Sequence, residues 1–211
     1  MKKAIISIIV TLLVPILSVA APLSQKQQQD VIANINSAVS GLTSMNCSFV
    51  QTKHLKMLND KMVSHGKMYY KQSNKLRWEY TTPYQYLFIF NGSKVYVGNK
   101  SKKDVIDTNS NKVFREVARI MMNTVTGKAL SNAADFTIGV AGNQSFWIVT
   151  LVPKKKDMKK MFDKIELVFN KNSYMISEVN IFEKNGDKTN IKMTDISKNK
   201  AVNENLFAIP K

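Results

Sequence analysis

The stretch from Gly66 to Gly98 limits the fold more than any other, because it is dense in aromatic residues, punctuated by turn residues and without a helical period. Met68 to Lys71 lead into a polar turn at Gln72-Ser73-Asn74. Leu76-Arg77-Trp78-Glu79-Tyr80 then alternates apolar with charged residues, the pattern of a strand with unlike faces. Pro83 ends that strand, since proline has no N–H to give to a ladder. Tyr84 to Phe90 reads as the next strand, and Asn91-Gly92 is a two-residue hairpin signal leading into Val95-Tyr96-Val97.

The strand Tyr84 to Phe90 is apolar on both faces, with Tyr84, Tyr86, Phe88 and Phe90 on one side and Leu87 and Ile89 on the other. Such a strand is covered on both sides, or it lines a space that is filled only part of the time. Phe146 to Val152 repeats the pattern, with Trp147, Val149 and Leu151 opposite Phe146, Ile148 and Val152. Two separated strands of this kind favour a sheet curved around an apolar cavity over a flat sheet with a helix laid on it.

Ser24 to Leu42 has the period of an amphipathic helix. Ser24 and Gln27 fit a capping box, Gly41 fits the stop, and Val31, Ile35, Ala38 and Leu42 share one face. A second helix is expected over Val113 to Val125, with Arg115, Glu116 and Arg119 facing out. Strands are expected at Cys47–Met57, Met62–Tyr70, Val105–Ile106, Phe136–Val140, Phe146–Val152, Lys164–Phe169, Met175–Phe182 and Thr189–Ile196. Evenly spaced polar connectors between them predict an antiparallel meander with helices as the minority element. The run Lys154-Lys155-Lys156 with Lys159 and Lys160 reads as a solvated hairpin loop.

Met1 to Ala20 has the form of an export signal: Lys2 and Lys3, an apolar run from Ala4 to Val14, and Ser18-Val19-Ala20 as a small-x-small site. Cleavage after Ala20 would leave 21–211 as a single exported domain. The formal charge is +16, of which Lys2 and Lys3 supply two. In an exported protein so basic a chain points to an anionic membrane or an acidic partner before nucleic acid. Cys47 is the only cysteine, so no internal disulfide forms and stability must come from packing.

Catalytic patterns are missing from the sequence. Neither His54 nor His65 adjoins a nucleophile pattern, and no G-x-S-x-G, H-E-x-x-H or phosphate loop occurs. The two histidines could approach across a hairpin, but without carboxylate or thiolate partners they make a poor metal site. The eleven methionines are scattered and suit a soft, adaptable apolar lining. No catalytic residue, metal or cofactor is assigned.

Phe49-Val50-Gln51 after an amphipathic helix, Gly66-Lys67-Met68-Tyr69-Tyr70, Leu76 to Tyr80 with Pro83, and Asn91-Gly92 resemble the periplasmic outer-membrane lipoprotein carriers, the LolA family. Met193 to Asn199, followed by Asn205-Leu206-Phe207 and Pro210, is similar to that family's closing segment. The resemblance covers essentially the whole mature chain. It implies a mainly β fold with α: an antiparallel curved sheet forming an incomplete, half-open β-barrel closed by an α-helical lid. It also implies a non-catalytic, monomeric carrier of acylated lipoproteins, loaded by an inner-membrane ABC exporter and unloaded to an outer-membrane acceptor.

By the same resemblance Leu76, Trp78 and Tyr80 line the cavity. Periodicity adds Phe88, Phe90 and Trp147, and Ile120, Met121 and Met122 are the lid candidates. Family members often carry an arginine just after the first strand of this region, where it bonds the lid closed. The matching position here is Gln72, which lacks the charge and the guanidinium fork, so a latch made there is weaker. A carrier or sensor for another amphiphile, such as a glycolipid, therefore stays open. So does a basic interaction module whose apolar faces are ordinary core.

Overall fold

Residues 23–99, 101–111, 119, 121–123, 126, 130 and 134–210 are described by a computed structural model. The expected signal segment with its cut after Ala20, Ile120 and most of the expected second helix lie outside these residues.

Helix α1 (Gln25–Ser40) starts where the sequence marks it. The Gln27 N–H donates to the Ser24 hydroxyl at 3.3 Å and the Ser24 N–H to the Gln27 side-chain carbonyl at 2.9 Å. Gly41 ends it, and Val31 and Ile35 turn inward. The strands follow as β1 (Ser44–Leu55), β2 (Asp60–Lys71), β3 (Lys75–Thr82), β4 (Tyr86–Asn91), β5 (Lys94–Gly98) and β6 (Lys103–Asp107). Then come β7 (Phe136–Gly142), β8 (Phe146–Pro153), a short helix α2 (Lys156–Met161), β9 (Phe162–Asn170), β10 (Ile176–Glu183), β11 (Lys188–Lys198) and a single 3-10 turn (Glu204–Phe207). These eleven strands form one antiparallel sheet in the order β6-β5-β4-β3-β2-β1-β11-β10-β9-β8-β7. The sheet is curved but does not close, so the incomplete barrel expected from the sequence is the architecture.

Consecutive strands β6 and β7 lie at opposite edges of this sheet. The chain between them must therefore cross from one edge to the other, and it carries Met122 and Leu130 into the core on the way. Arg119 and 121–123 are helical within that crossing. The inner face is built at period two: Met45, Cys47 and Phe49 from β1, Met68 and Tyr70 from β2, Leu76 and Trp78 from β3, Val149 and Leu151 from β8. Burying each large apolar side chain stabilises the fold by about 1.5–3 kcal/mol.

The second apolar face of β4 is explained by the chain itself. Ile89, Tyr96 and Phe207 are buried on the outer side, apart from the main cluster. The C-terminal turn is held there by Arg77, whose Nη1 donates to the Leu206 carbonyl at 3.1 Å, and by Asn91, whose Nδ2 donates to the Phe207 carbonyl at 3.1 Å. Glu204 accepts from both Lys71 and Lys75, which draws its carboxyl down to about 2. No guest is needed to cover that face. On β8 the outward Phe146 and Ile148 are half-buried and Val152 is exposed.

Other expectations shift in detail. Tyr84 falls in the bend before β4 and is exposed, because the chain turns at Pro83-Tyr84-Gln85. The β4–β5 loop residues are Gly92 and Ser93, since Asn91 still pairs with Lys94. The lysine run is not a plain loop: Asp157 in its first turn and Lys159 and Lys160 in its last complement the dipole of α2.

Gly66 permits the bend beneath the inner face. A Cβ there would sit 2.1 Å from the Glu79 carbonyl oxygen and 2.3 Å from the Phe49 ring. The ring of Phe49 thus fills the space that a side chain at 66 would take, directly opposite it in the β1–β2 ladder. Gly66→Ala is expected to cost about 1–3 kcal/mol by overpacking, read as a lowered thermal midpoint in circular dichroism. An unchanged midpoint would mean the ring moves freely and does not set the curvature.

Candidate functional site: a lidded apolar face

The inner face brings most of the sequence-selected residues into one cluster. Leu76, Trp78, Phe88 and Met122 are buried in it, and Tyr80, Phe90, Met121 and Trp147 pack against it half-buried. Trp78 stands between Met68 and Phe88 in register, and Leu76 opposite Phe90. The Phe49 ring lies 4.5 Å from Trp78 and meets Tyr80 edge-on at 5.3 Å. The Tyr80 hydroxyl donates to Gln51 Oε1 at 2.9 Å, so its polar end is satisfied while its ring stays apolar. Trp147 comes from the other wall: its strand is six neighbours away, about 29 Å along the sheet at about 4.8 Å per strand. Curvature lets both tryptophans serve one cluster. Lys171 sits 4.0 Å over the Trp147 ring, and the indole N–H has no acceptor among the described residues.

The cover has two parts. α1 lies against β7, where Gln28 Oε1 accepts the Val140 N–H at 3.1 Å. The crossing segment is tied down by charge. Asp135, just before β7, is 4% exposed and accepts from Arg119 and from Lys155, each at 2.7 Å. Burial alone would raise this carboxyl, but hydrogen bonds and charge from Lys155 and Arg119 outweigh it and hold it below the usual range. Arg119 is therefore paired, not outward as its helical position suggested. A signal was present in the sequence: an aspartate placed against the start of an apolar strand demands a cation.

The open space bordered by both cover and sheet lies at one rim rather than mid-face. A cavity of about 510 Å³ sits where α1 ends. Val39, Leu42, Tyr70 and Met122 form its apolar side, and Asn36, Gln72, Ser73, Asn74 and Asn123 its polar side. Its described lining is uncharged throughout. Gln72 borders this mouth across from Asn123 and Thr126, and its backbone N–H donates to the Thr43 carbonyl at 2.8 Å. Among the described residues, the Asp135 cluster ties Arg119 of the crossing segment to the sheet, at another place from Gln72.

Two further expectations resolve. His54 faces Lys61 and His65 faces Val50, so the histidines do not meet across the hairpin. Cys47 is buried, and burial pushes its thiol up to about 12, leaving it an inert apolar residue.

The family model described as outer membrane lipoprotein carrier protein LolA matches residues 40–210. The chain belongs to the LolA family. This LolA-family chain is 24% identical over 197 residues to an outer-membrane lipoprotein carrier protein of Chromobacterium violaceum, covering 90% of this chain and 88% of that one. Among solved structures, an uncharacterized conserved protein from Thermus thermophilus aligns with a TM-score of 0.56 at 10% identity, over 88% of this chain and 95% of that. A chain of the Pseudomonas aeruginosa MucA/MucB complex aligns with a TM-score of 0.51 at 9% identity, over 86% of this chain and 60% of that. At such identities these two speak for the fold alone. They place the LolA half-barrel on a scaffold found in several bacteria.

Because the folded carboxyl of Asp135 lies below its unfolded value, its contribution is present above that value and disappears as pH falls through the depressed folded one. The protection of the Met121, Met122 and Asn123 amides against hydrogen exchange, taken relative to the intrinsic rate at each pH, should therefore stay high at neutral pH and fall only below the ordinary carboxylate range. Asp135→Asn should lower that protection at pH 7, since the amide cannot pair with both cations. Equal protection in both proteins would remove the ion cluster as the tie.

Proposed function

We propose that this chain is a non-catalytic carrier that shields the acyl chains of lipoproteins between the inner face and its cover, and ferries them across the periplasm from inner to outer membrane. The observation that supports this most is the continuity of apolar surface from Trp78 and Phe88 on one wall, through Met121 and Met122 of the cover, to Trp147 on the other. A triacylated cargo exposes tens of methylenes, each worth about 0.8 kcal/mol on burial, so it does not cross water alone. In the closed form the chain's own side chains occupy the face, and loading requires the cover to move. Methionine suits surfaces that repack around changing guests. Donation by an inner-membrane exporter and acceptance at the outer membrane belong to the same reading, as does removal of the leader after Ala20.

A second reading, a carrier for a lipid with a neutral polar head, draws support from the mouth. Gln72 replaces the family's arginine there, and the described lining offers amides and hydroxyls without charge. Extraction and mass spectrometry of the mature protein purified from its native envelope separates the two: triacylated peptide favours the first, a free glycolipid the second.

A direct test uses Trp78 and Trp147, the chain's two tryptophans, which share the inner cluster. Lipids brominated along the acyl chain should quench most of the indole emission, and Trp147→Phe should leave quenching of Trp78 in place. Emission indifferent to saturating brominated lipid would mark the cluster as ordinary core and end both readings.

A further inference from the structure

Antiparallel neighbours turn at alternate ends, so one rim of the sheet collects the β1–β2, β3–β4, β5–β6, β8–β9 and β10–β11 connections. Apart from Val105, the large apolar side chains exposed on the described surface lie in those connections or close beside them. The β1–β2 tip carries Met57, 92% exposed, and Leu58, 71% exposed, with Met62 and Val63 behind them. Tyr84 and Tyr86 lie at the β3–β4 bend, Val105 is the middle residue of β6, and Val152 and Met161 lie near the end of β8 and at the end of α2. The opposite rim turns through Gln72-Ser73-Asn74, Gly92-Ser93, Asn143 to Ser145 and Lys171 to Ser173, with no exposed large apolar residue among those described. Packing of a core gives no reason for this sorting.

The same rim is basic. Lys56, Lys61, Lys156, Lys159 and Lys160 are exposed there and have no carboxylate partner among the described residues. Several of the rim's acids are already engaged: Glu183 and Asp187 by Lys53, and Asp163 by Lys184. Asp60, Asp104 and Asp157 remain, and leave the balance positive. The pieces form one continuous edge, since the Lys56 N–H donates to Asp187 at 3.0 Å and the Lys184 N–H to the Met161 carbonyl at 2.9 Å.

We infer that this rim seats the molecule on an anionic bilayer surface, with Met57, Leu58 and Met161 entering the headgroup layer and the lysines of α2 and the β1–β2 tip meeting lipid phosphates. Single apolar side chains on separate loop tips, spaced by lysines, suit a fluid layer that closes around each one. A flat protein partner would call for a contiguous apolar patch instead. Among the described residues no helix is long and apolar enough to cross a membrane, and the contact proposed is peripheral. It stands independently of which cargo the inner face holds.

The test is flotation of the mature chain with vesicles of phosphatidylcholine alone or with about one third phosphatidylglycerol. Binding is expected to the anionic vesicles only, and to weaken with salt. Met57→Glu/Leu58→Glu should lower it at least tenfold, and Lys156→Gln/Lys159→Gln/Lys160→Gln by about fivefold per lysine that reaches the surface. Asn172→Glu at the opposite rim should change little. These side chains are exposed, so native circular dichroism is expected of every variant. The inference fails if the chain floats with neither vesicle at low salt. It fails equally if both rim variants float like the wild type, or if Asn172→Glu loses as much as they do.

Discussion

The structure depends on a constraint of connectivity. A sheet whose sixth and seventh strands stand at its two edges obliges the chain to travel across its face. Because that face is apolar, the crossing chain must bring apolar residues of its own, and Met122 and Leu130 answer the need. The cover is therefore a consequence of strand order, not an accessory laid on a finished barrel. α1, arriving before β1, adds Val31 and Ile35 to the same cluster.

Holding that cover by charge has a physical logic. An apolar cover on an apolar face is indifferent to small sliding, whereas an ion cluster has one geometry. Asp135 sits where the crossing ends and β7 begins, so its pairing with Arg119 and Lys155 fixes the far end of the segment. In the β1–β2 hairpin the Phe49 ring takes the space a side chain at Gly66 would need, and it packs there against Trp78 and Tyr80.

Most of the sheet was legible in the sequence, because period-two alternation and polar turns carry strand identity locally. The helix start at Ser24 was legible for the same reason: the capping box is a four-residue signal. The outer cover of β4 was not, since Ile89 and Phe207 are brought together by topology that no local pattern encodes. Arg119 was misread because a lone helix wheel places a charge outward unless a buried carboxylate elsewhere claims it. The sorting of Met57, Leu58 and Met161 to one rim was likewise invisible until strand order was known. The face of Leu76, Trp78 and Phe88 was visible because all three lie within two adjacent strands.

An open sheet carries two unpaired edges, each a template on which another chain could polymerise. This molecule blunts both. β6 bears Lys103, Asp104 and Asp107 along its five residues, a line of charge that a neighbouring copy would have to desolvate. On β7 the side chain of Gln28 occupies the Val140 N–H that a foreign strand would seek. The glutamine that docks α1 thus also takes up a ladder position that an incomplete barrel, unlike a closed one, leaves free on its edge strand.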